Sequence, residues 1–277
     1  SNMNNKIVIP EVILEESGAY SDRGLFLRAL LFCLRPVTSH HCFRPIVSKV
    51  RYYFDLKKWS HHSDDRVLDW DWTETNFSRF AVVNILINKF QNPTYLEIGC
   101  AANDLFNSVP IPIAKKVGVD PFAGGTVRKT SDDFFQANEM QFDVVFIDGL
   151  HTYEQVRRDV INSINSLKEG GWIALHDMLP RSWIEQHTPC ISQGAWTGDV
   201  WKIAFELVQT ESIEFKILKI DCGVGVIKVD KPESNKQIVE LKDFRKELLH
   251  KEFSYYYDNL DKLSIIEWGD AQNWLRN

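Results

Sequence analysis

The sequence predicts an α/β fold built on a mostly parallel β-sheet that ends in an antiparallel hairpin, with helices on both faces. Three observations lead to this prediction. Short apolar segments alternate with segments whose apolar residues recur at helical spacing, and this alternation requires crossovers between parallel strands. The segment FDVVFI is apolar at nearly every position, as in strands that are covered on both faces. The last two predicted strands are joined by too few residues for a crossover, so they must pair antiparallel.

The regular part of the chain begins near residue 73. The segment 73–90 carries apolar residues at helical spacing, with Thr73 or Thr75 as the predicted N-cap. We predict strands at 95–98, 115–119, 127–130, 142–147, 171–175, 213–220 and 223–229. Further helices are predicted at 154–168, 198–210 and 233–250. The predicted domains are an aromatic-rich N-terminal extension or cap (1–72), a core (73–230) and a C-terminal helical extension (231–277).

Composition and charge restrict the class of protein. Of the 277 residues, 44% are hydrophobic and 25% are charged, as in soluble globular proteins. The net charge of −6 argues against a nucleic-acid partner, because neutralising phosphates needs a basic surface. The five cysteines are scattered without a CxxC motif, which favours a reducing cytoplasm over a disulfide framework. The apolar run 24–35 is too short to span a bilayer, so we predict a buried amphipathic helix there.

Two short motifs contain paired histidines. The triplet SHH occurs at 39–41 and again at 60–62, in polar surroundings. Such pairs are candidate metal ligands, but they lack partners at helical spacing. The sequence therefore favours loop histidines at both places.

The residues that follow each predicted strand indicate where a ligand binds, because open parallel sheets bind ligands at the carboxyl ends of their strands. The first strand ends in Glu97 and Gly99, and a glycine there permits a tight turn and the close approach of a ligand. Asp120 follows the second strand, about twenty residues later, where a carboxylate can accept both hydroxyls of a ribose. The later glycines of a dinucleotide motif are missing and Glu97 would repel a pyrophosphate, which disfavours NAD.

Two neighbouring strands end in side chains suited to acid–base chemistry or metal binding. The fourth predicted strand is followed by Asp148 and His151, and the fifth by His176 and Asp177. Because these strand ends meet at one edge of the sheet, we expect the four side chains to converge over one pocket. Asp159 lies inside the following helix, where we expect a salt bridge or exposure to solvent.

The series YLEIG, VGVDP, FDVVFIDGLHTYEQVRRD and LKEGGWIALHD resembles class I S-adenosylmethionine-dependent methyltransferases in its order and spacing. The resemblance covers roughly residues 73–230, and it is strongest to the bacterial branch that methylates hydroxyls of sugars and small molecules in polysaccharide or natural-product biosynthesis. It implies a Rossmann-like seven-stranded sheet with a reversed final strand, with S-adenosylmethionine as the cofactor. The implied acceptor is a sugar or nucleotide sugar.

The resemblance also implies roles for individual residues. Glu97 and Gly99 would flank the methionine portion of the cofactor, and Asp120 would hold the ribose hydroxyls. Asp132 or the neighbouring aspartate would lie near the adenine, and Asp148 would sit beside the sulfonium.

Two mechanisms remain open at this point. A divalent ion could be held by Asp148, Asp177 and a histidine, since Mg²⁺ prefers oxygen ligands whereas Mn²⁺, Fe²⁺ and Zn²⁺ accept imidazole. Alternatively, His151 or His176 acts as a general base without a metal. We favour His151 as that base, because it follows Asp148 by three residues at a helix entrance.

The long segment 178–199 is the predicted acceptor region, because it lacks periodicity. Trp183 and Trp196 suit stacking on a sugar ring and Arg181 suits an anionic group, although the tryptophans could equally cover the sheet. No nucleic-acid partner and no membrane span are expected, and a homo-oligomer is left open. The rival functions are an NAD-using Rossmann enzyme and a non-catalytic nucleoside-binding or assembly protein that keeps the fold.

Overall fold

A computed structural model describes residues 44–229 and 240–276. The predicted helix at 24–35, the first SHH motif and the start of the predicted helix at 233–250 lie outside the described residues. The described residues fall into two compact units that divide between Asp55 and Leu56. Helix α1 (Arg44–Lys58) contains the described residues of the first unit, and all the described strands and other helices belong to the second unit.

The sheet contains seven strands among the described residues. They are β1 (Tyr95–Ile98), β2 (Lys116–Val119), β3 (Phe142–Ile147), β4 (Leu167–Leu175), β5 (Ile213–Leu218), β6 (Val224–Val229) and β7 (Ile265–Ile266). Their order is β2-β1-β3-β4-β6-β5-β7. Strand β6 is antiparallel to both of its neighbours, and the other pairs are parallel. The predicted fold class, with its terminal hairpin, is confirmed.

One of the seven strands differs from the prediction. The segment 127–130 contributes only a single parallel bridge, from Val127 to Val119. The seventh strand is instead β7, which lies in the C-terminal tail and pairs parallel with β5. A two-residue strand has no periodicity, so the sequence could not indicate it.

Helices cover both faces of the sheet. They are α2 (Arg79–Ile87), α3 (Asp104–Ser108), α4 (Ser131–Ala137), α5 (Tyr153–Asn165), α6 (Trp183–Gln186), α7 (Lys202–Leu207), α8 (Arg245–Leu248), α9 (Phe253–Asp258) and α10 (Trp268–Arg276). Single 3₁₀ turns occur at Ser60–His62, Ile113–Lys115 and Leu260–Lys262. Helix α2 begins later than predicted because Ser78 caps it, accepting the N–H of Phe80 at 3.4 Å.

Alternate strand residues face two separate cores, as pleating requires. Leu96 and Ile98 pack with α5, α7 and α9 on one face, whereas Tyr95 packs with α2, α3 and α10 on the other. Both faces of β3 are buried along its whole length. Ligands therefore have access to this part of the sheet mainly at the ends of the strands. Among the described residues, no helix has the length and apolar character that a bilayer crossing requires.

Candidate active site

The turn after β1 packs directly against the turn after β3. Gly99 has φ of +85°, and a Cβ at this position would collide with the carbonyl oxygen of Asp148. The Asp148 N–H in turn donates to the carbonyl of Ile98 at 2.8 Å. Glycine is therefore required at 99 by the contact between two strand exits. This contact places Glu97, Gly99 and Asp148 at one edge of the sheet.

Asp120 organises the same edge from the end of β2. Its Oδ2 accepts the backbone N–H groups of Cys100 and Ala101 at 3.0 Å each, and its Oδ1 accepts those of Phe122 and Ala123 at 2.8 Å each. Burial raises the pKa of Asp120, but these four bonds outweigh burial and lower the pKa overall. The carboxylate thus fixes the turns after β1 and β2, while its predicted contact with a ribose stays a prediction.

Glu97 is buried at the end of β1. The hydroxyl of Tyr95 donates to its Oε2 at 2.6 Å. Burial raises the pKa of Glu97 to about 7, even though the tyrosine bond favours the charged form. A carboxyl group at this edge is therefore poised between its neutral and charged forms near neutral pH.

The structure places Asp132, the predicted adenine neighbour, on the exposed first turn of α4. Its Oδ1 accepts from Arg158 Nε at 3.3 Å and from Gln155 Nε2 at 3.2 Å. The neighbouring Asp133 belongs to the helix N-cap, where it exchanges hydrogen bonds with Thr130. Both roles near an adenine stay predictions.

The structure brings Asp148, His151, His176 and Asp177 together. His151 Nε2 lies 3.3 Å from Asp148 Oδ1, and His151 Nδ1 lies 3.3 Å from Asp177 Oδ2. His176 Nδ1 lies 3.2 Å from the same oxygen of Asp177 and 3.5 Å from Asp148 Oδ1. One ligand atom from each of Asp148, His151 and Asp177 lies within 4.8 Å of the other two. We call these three residues the rim triad.

Two further members of this cluster were missed by the sequence analysis. Asp221, in the turn between β5 and β6, accepts both the backbone N–H of Arg79 at 2.9 Å and its Nη1 at 2.8 Å. The Oδ1 atom of Asp221 lies 3.5 Å from His176 Nε2. Arg79 Nε also lies 4.0 Å from Asp148 Oδ2, so the first residue of α2 connects two strand exits. Strand β5 runs in the same direction as β4, so the two strands end at the same edge of the sheet. The residues that follow β5, including Asp221, could therefore have been identified from the sequence as candidates for the site.

The charges in the cluster balance only when both imidazoles are protonated or a dication is bound. The three carboxylates of Asp148, Asp177 and Asp221 and one guanidinium give a formal charge of −2 while both imidazoles are neutral. Burial lowers the pKa of His151 and of His176, but their bonds to the carboxylates outweigh burial and raise both pKa values. Without a metal ion, both histidines are thus biased toward the cationic form, which is unsuited to a general base.

The loop after α6 holds His151 in place. The carbonyl of Trp196 lies 3.0 Å from His151 Nδ1, and the two rings stack at 5.0 Å between centroids. Gly198 has φ of +60°, and a Cβ there would collide with the carbonyl oxygen of His151. The indole N–H of Trp196 donates to the carbonyl of His187 at 2.8 Å.

Two of the residues proposed to contact a sugar instead make contacts with other residues of the protein. Trp183 is 8% exposed and belongs to the core, so it covers the sheet. Arg181 Nη2 donates to Glu185 Oε1 at 2.7 Å and its Nε donates to the same carboxylate at 3.1 Å. Of these three residues, Trp196 is thus the candidate beside the rim triad, because its ring stacks on His151.

Asp159 differs from its prediction. It is 1% exposed, and its Oδ1 accepts from Gln155 Nε2 at 3.1 Å. Burial raises its pKa to about 6. The expected salt bridge or solvent exposure is wrong, because α5 turns this position toward Gly149, where a Cβ would lie 3.7 Å from Asp159 Oδ2.

Comparisons with known proteins place this geometry in context. Residues 58–178 match a family model described as a methyltransferase domain. No curated protein sequence shows significant similarity to the chain. The structure is similar to that of an O-methyltransferase from Bacillus cereus in complex with SAH, at 11% identity and a TM-score of 0.41, over 57% of this chain and 84% of that one. It is also similar to the O-methyltransferase TomG from Streptomyces achromogenes in complex with SAM, at 11% identity and a TM-score of 0.41, over 57% of this chain and 82% of that one.

The family match supports the predicted methyltransferase. With TM-scores below 0.5, the two solved structures add no functional argument to it. The matched segment ends just after β4 and contains the rim triad and the turns around Gly99 and Asp120.

Proposed function

We propose that the chain transfers a methyl group from S-adenosylmethionine to a hydroxyl group of a small molecule, with a divalent metal ion bound at the rim triad. One observation carries this proposal. The rim triad lies at the carboxyl ends of β3 and β4, beside the turn after β1, inside the segment that matches a methyltransferase domain. Ligands of open α/β sheets bind at this edge.

The residues at the turn after β1 fit a cationic cofactor. Glu97 and Asp148 both lie at this edge, and Glu97, whose pKa burial raises to about 7, can lose its proton when a cation binds beside it. The ammonium and sulfonium groups of S-adenosylmethionine are attracted to such an acidic edge, whereas the pyrophosphate of NAD is repelled. Asp120 shapes the loop that would enclose the ribose of the cofactor, and Asp132 would lie beside its adenine. Both contacts are part of the proposal.

The rim triad fits a divalent cation by its donor set. Two carboxylates and one imidazole suit Mn²⁺, Fe²⁺ or Zn²⁺, and Mg²⁺ if water completes its shell. The surrounding charge of −2 matches a dication. The carbonyl and ring of Trp196 orient His151, as outer groups do for metal-binding histidines. When bound, the ion would orient the acceptor hydroxyl and lower its pKa.

The other residues of the cluster act by positioning. His176 bridges Asp177 and Asp221, and Arg79 holds Asp221 while approaching Asp148. Methyl transfer is an in-line displacement, so holding the acceptor close and aligned supplies much of the rate. In this proposal His176 keeps the carboxylate of Asp177 oriented and is not the free base.

The sugar acceptor and the cytoplasmic location rest on the sequence. Trp183 and Arg181 no longer support sugar binding, because one is in the core and the other is paired with Glu185. The acceptor class therefore comes from the resemblance to the polysaccharide and natural-product branch. The proposed domain division places this chemistry in a core of residues 73–230.

The test is methyl transfer by the full chain. S-adenosylmethionine is supplied with a panel of sugars, nucleotide sugars and phenols, and S-adenosylhomocysteine is measured with and without a chelator. We expect activity to be lost with the chelator and restored by Mn²⁺ or Mg²⁺. Asp177→Asn should lower the rate at least about 100-fold, whereas Asp261→Asn, an exposed carboxylate far along the chain, should not.

Binding experiments separate the rivals. Calorimetric titration with S-adenosylhomocysteine and with NAD should show binding of the first alone. Binding without turnover on any acceptor favours the non-catalytic protein, and binding of NAD alone contradicts the proposal. Chelator-resistant activity that His151→Ala or His176→Ala abolishes would favour the metal-free base.

A further inference from the structure

Two histidines outside the rim triad face each other. His62 Nδ1 lies 3.2 Å from His187 Nε2. His62 ends the 3₁₀ turn Ser60–His62, which is the second SHH motif, and His187 directly follows α6. His187 is 1% exposed.

The protonation of His187 is set by its other nitrogen. His187 Nδ1 lies 2.8 Å from the carbonyl oxygen of Pro189, and a carbonyl can only accept, so Nδ1 carries the proton. Its Nε2 therefore presents a lone pair to His62. An Nδ1–H bonded to a backbone carbonyl is the usual arrangement behind a metal-binding Nε2.

The separations around His62 match those between ligands of one ion. In a tetrahedral site with bonds of 2.0–2.1 Å, two ligand atoms lie about 3.3 Å apart. The two histidine nitrogens are 3.2 Å apart, and Glu252 Oε1 is 3.5 Å from His62 Nδ1. Gln186 Nε2 donates to the other carboxylate oxygen of Glu252 at 3.1 Å. The ring of Trp59 packs against both imidazoles, at 4.8 Å from His187 and 5.5 Å from His62.

We propose that His62, His187 and Glu252 form a second metal site, which binds a transition-metal ion of the Zn²⁺ type. Among the described residues, only the rim triad has three ligand atoms that already lie within 4.8 Å of one another. Glu252, whose side chain is 35% exposed, must therefore turn toward His187 on binding. Two imidazoles select Zn²⁺, Co²⁺ or Ni²⁺ over Mg²⁺, whereas the acidic rim triad also admits Mg²⁺.

The position of this site indicates a structural role. The carbonyl of His187 accepts the indole N–H of Trp196, and Trp196 stacks on His151 of the rim triad. An ion on His62 and His187 would fasten the loop that orients His151. The site itself does not rest on the proposed function.

Metal counting tests the inference. The full chain is dialysed against Zn²⁺ in excess Mg²⁺, and bound zinc is measured by mass spectrometry. We expect the wild-type chain to retain one Zn²⁺ more than His62→Gln and His62→Ala. The matched control is His61→Ala, since His61 is exposed and adjacent, with its ring 4.1 Å from that of His62. It should retain as much zinc as the wild type.

A second measurement uses Co²⁺ as a spectroscopic probe. The wild type should show the visible absorption of tetrahedral Co²⁺, and His62→Gln should lose it while keeping its circular dichroism spectrum. Equal zinc content in the wild type and both His62 variants, or an equal loss in His61→Ala, overturns the inference. Asp177→Asn, which alters the rim triad alone, should keep the zinc of the histidine site, so failure at either site is recognised separately.

Discussion

At Asp120, an asparagine would keep the shape of the side chain but only one of its two acceptor oxygens. The amide NH₂ would then face two backbone N–H groups that the carboxylate now accepts. Hydrogen bonds to charged groups contribute about 1.5–3 kcal/mol each. We expect Asp120→Asn to lower the free energy of unfolding by about 3 kcal/mol and to abolish binding of S-adenosylhomocysteine. Urea denaturation and calorimetry measure the two effects. A variant that unfolds and binds like Asp261→Asn would contradict the organising role of Asp120.

Glu97 should make the stability of the protein fall as the pH rises. Its pKa in the folded state is about 7, above the ordinary value of 4.5. Between these values the folded protein keeps a proton that the unfolded chain releases, so the stability present below about pH 4.5 is lost as the pH rises through 7. The loss is on the order of 3 kcal/mol.

Glu97→Gln removes this contribution. We expect the free energy of unfolding to fall less between about pH 5 and about pH 8 in Glu97→Gln than in the wild type. Asp159, whose pKa burial raises to about 6, leaves a smaller slope of the same sign. Urea denaturation at the two pH values gives the difference, and identical slopes would show that the pKa of Glu97 is not raised.

At the scale of single residues, the sequence indicated the site through one rule, that polar residues follow buried strands. The rule located Asp148 and His176, which directly follow β3 and β4, and Asp177, which comes one residue later. It would also have found Asp221 if β5 had been treated like the other strands. Arg79 had no such signal, because the contact joins residues 142 positions apart in the chain.

At the scale of elements, the loop after α6 packs closely against the rim triad at one residue, Gly198, which contacts the carbonyl of His151. Gly198→Ala introduces a Cβ that collides with the carbonyl of His151, at a φ that alanine rarely adopts. We expect this variant to lower the affinity for Mn²⁺ about 10–100-fold, because the orientation of His151 changes. Calorimetric titration with Mn²⁺ measures the affinity.

The same loop supplies the control for this substitution. A Cβ at Gly194 would meet nothing within 4 Å, so Gly194→Ala should bind Mn²⁺ like the wild type. Equal affinities of Gly198→Ala and Gly194→Ala would show that the loop does not orient His151.

Helix α2 and the β5–β6 hairpin are joined by the pair Arg79 and Asp221. The side chains are 29% and 19% exposed, so the pair is partly shielded from solvent. We expect Arg79→Met to lower the free energy of unfolding by about 2 kcal/mol, because it removes the guanidinium that donates to both oxygens of the Asp221 carboxylate. In the double variant with Asp221→Asn, the loss of unfolding free energy should be smaller than the sum of the losses in the two single variants. Strict additivity in denaturation experiments would exclude a direct coupling.

The sequence predicted six of the seven strands among the described residues and missed the shortest, β7. Strand β3 is buried on both faces, so nearly every residue is apolar and the pattern is unmistakable. The segment 127–130 (VRKT) contains a single apolar residue, and Gly118 O accepts the N–H groups of Thr126 and Val127, which closes a loop there instead of a strand. Strand β7 forms because the C-terminal tail packs on β5, and two residues are too few to show a strand pattern in the sequence.

At the scale of the whole molecule, the two cores explain why charge collects at one edge. Helices bury both faces of the central strands, and the polar side chains of Asp148, His176 and Asp177 come where β3 and β4 end. The rim triad, Arg79 and Asp221 lie there together, with a formal charge of −2 before any imidazole is protonated. A bound dication would remove this imbalance, and its effect should be visible in the stability of the entire fold.

Metal ions should therefore raise the melting temperature of the whole protein. An ion that binds only the folded state stabilises it by about 2.7 kcal/mol at 100 times its dissociation constant. For a chain of this size each kcal/mol shifts the melting temperature by roughly 2–4 °C, so Mn²⁺ should raise it by about 5–10 °C. Scanning calorimetry with and without Mn²⁺ measures the shift. Asp177→Asn should lose most of it, because the rim triad then has one carboxylate fewer, whereas Asp261→Asn should keep all of it. A shift of equal size in Asp177→Asn would show that the stabilising ion does not bind at the ends of β3 and β4. It would also contradict the proposed site of methyl transfer.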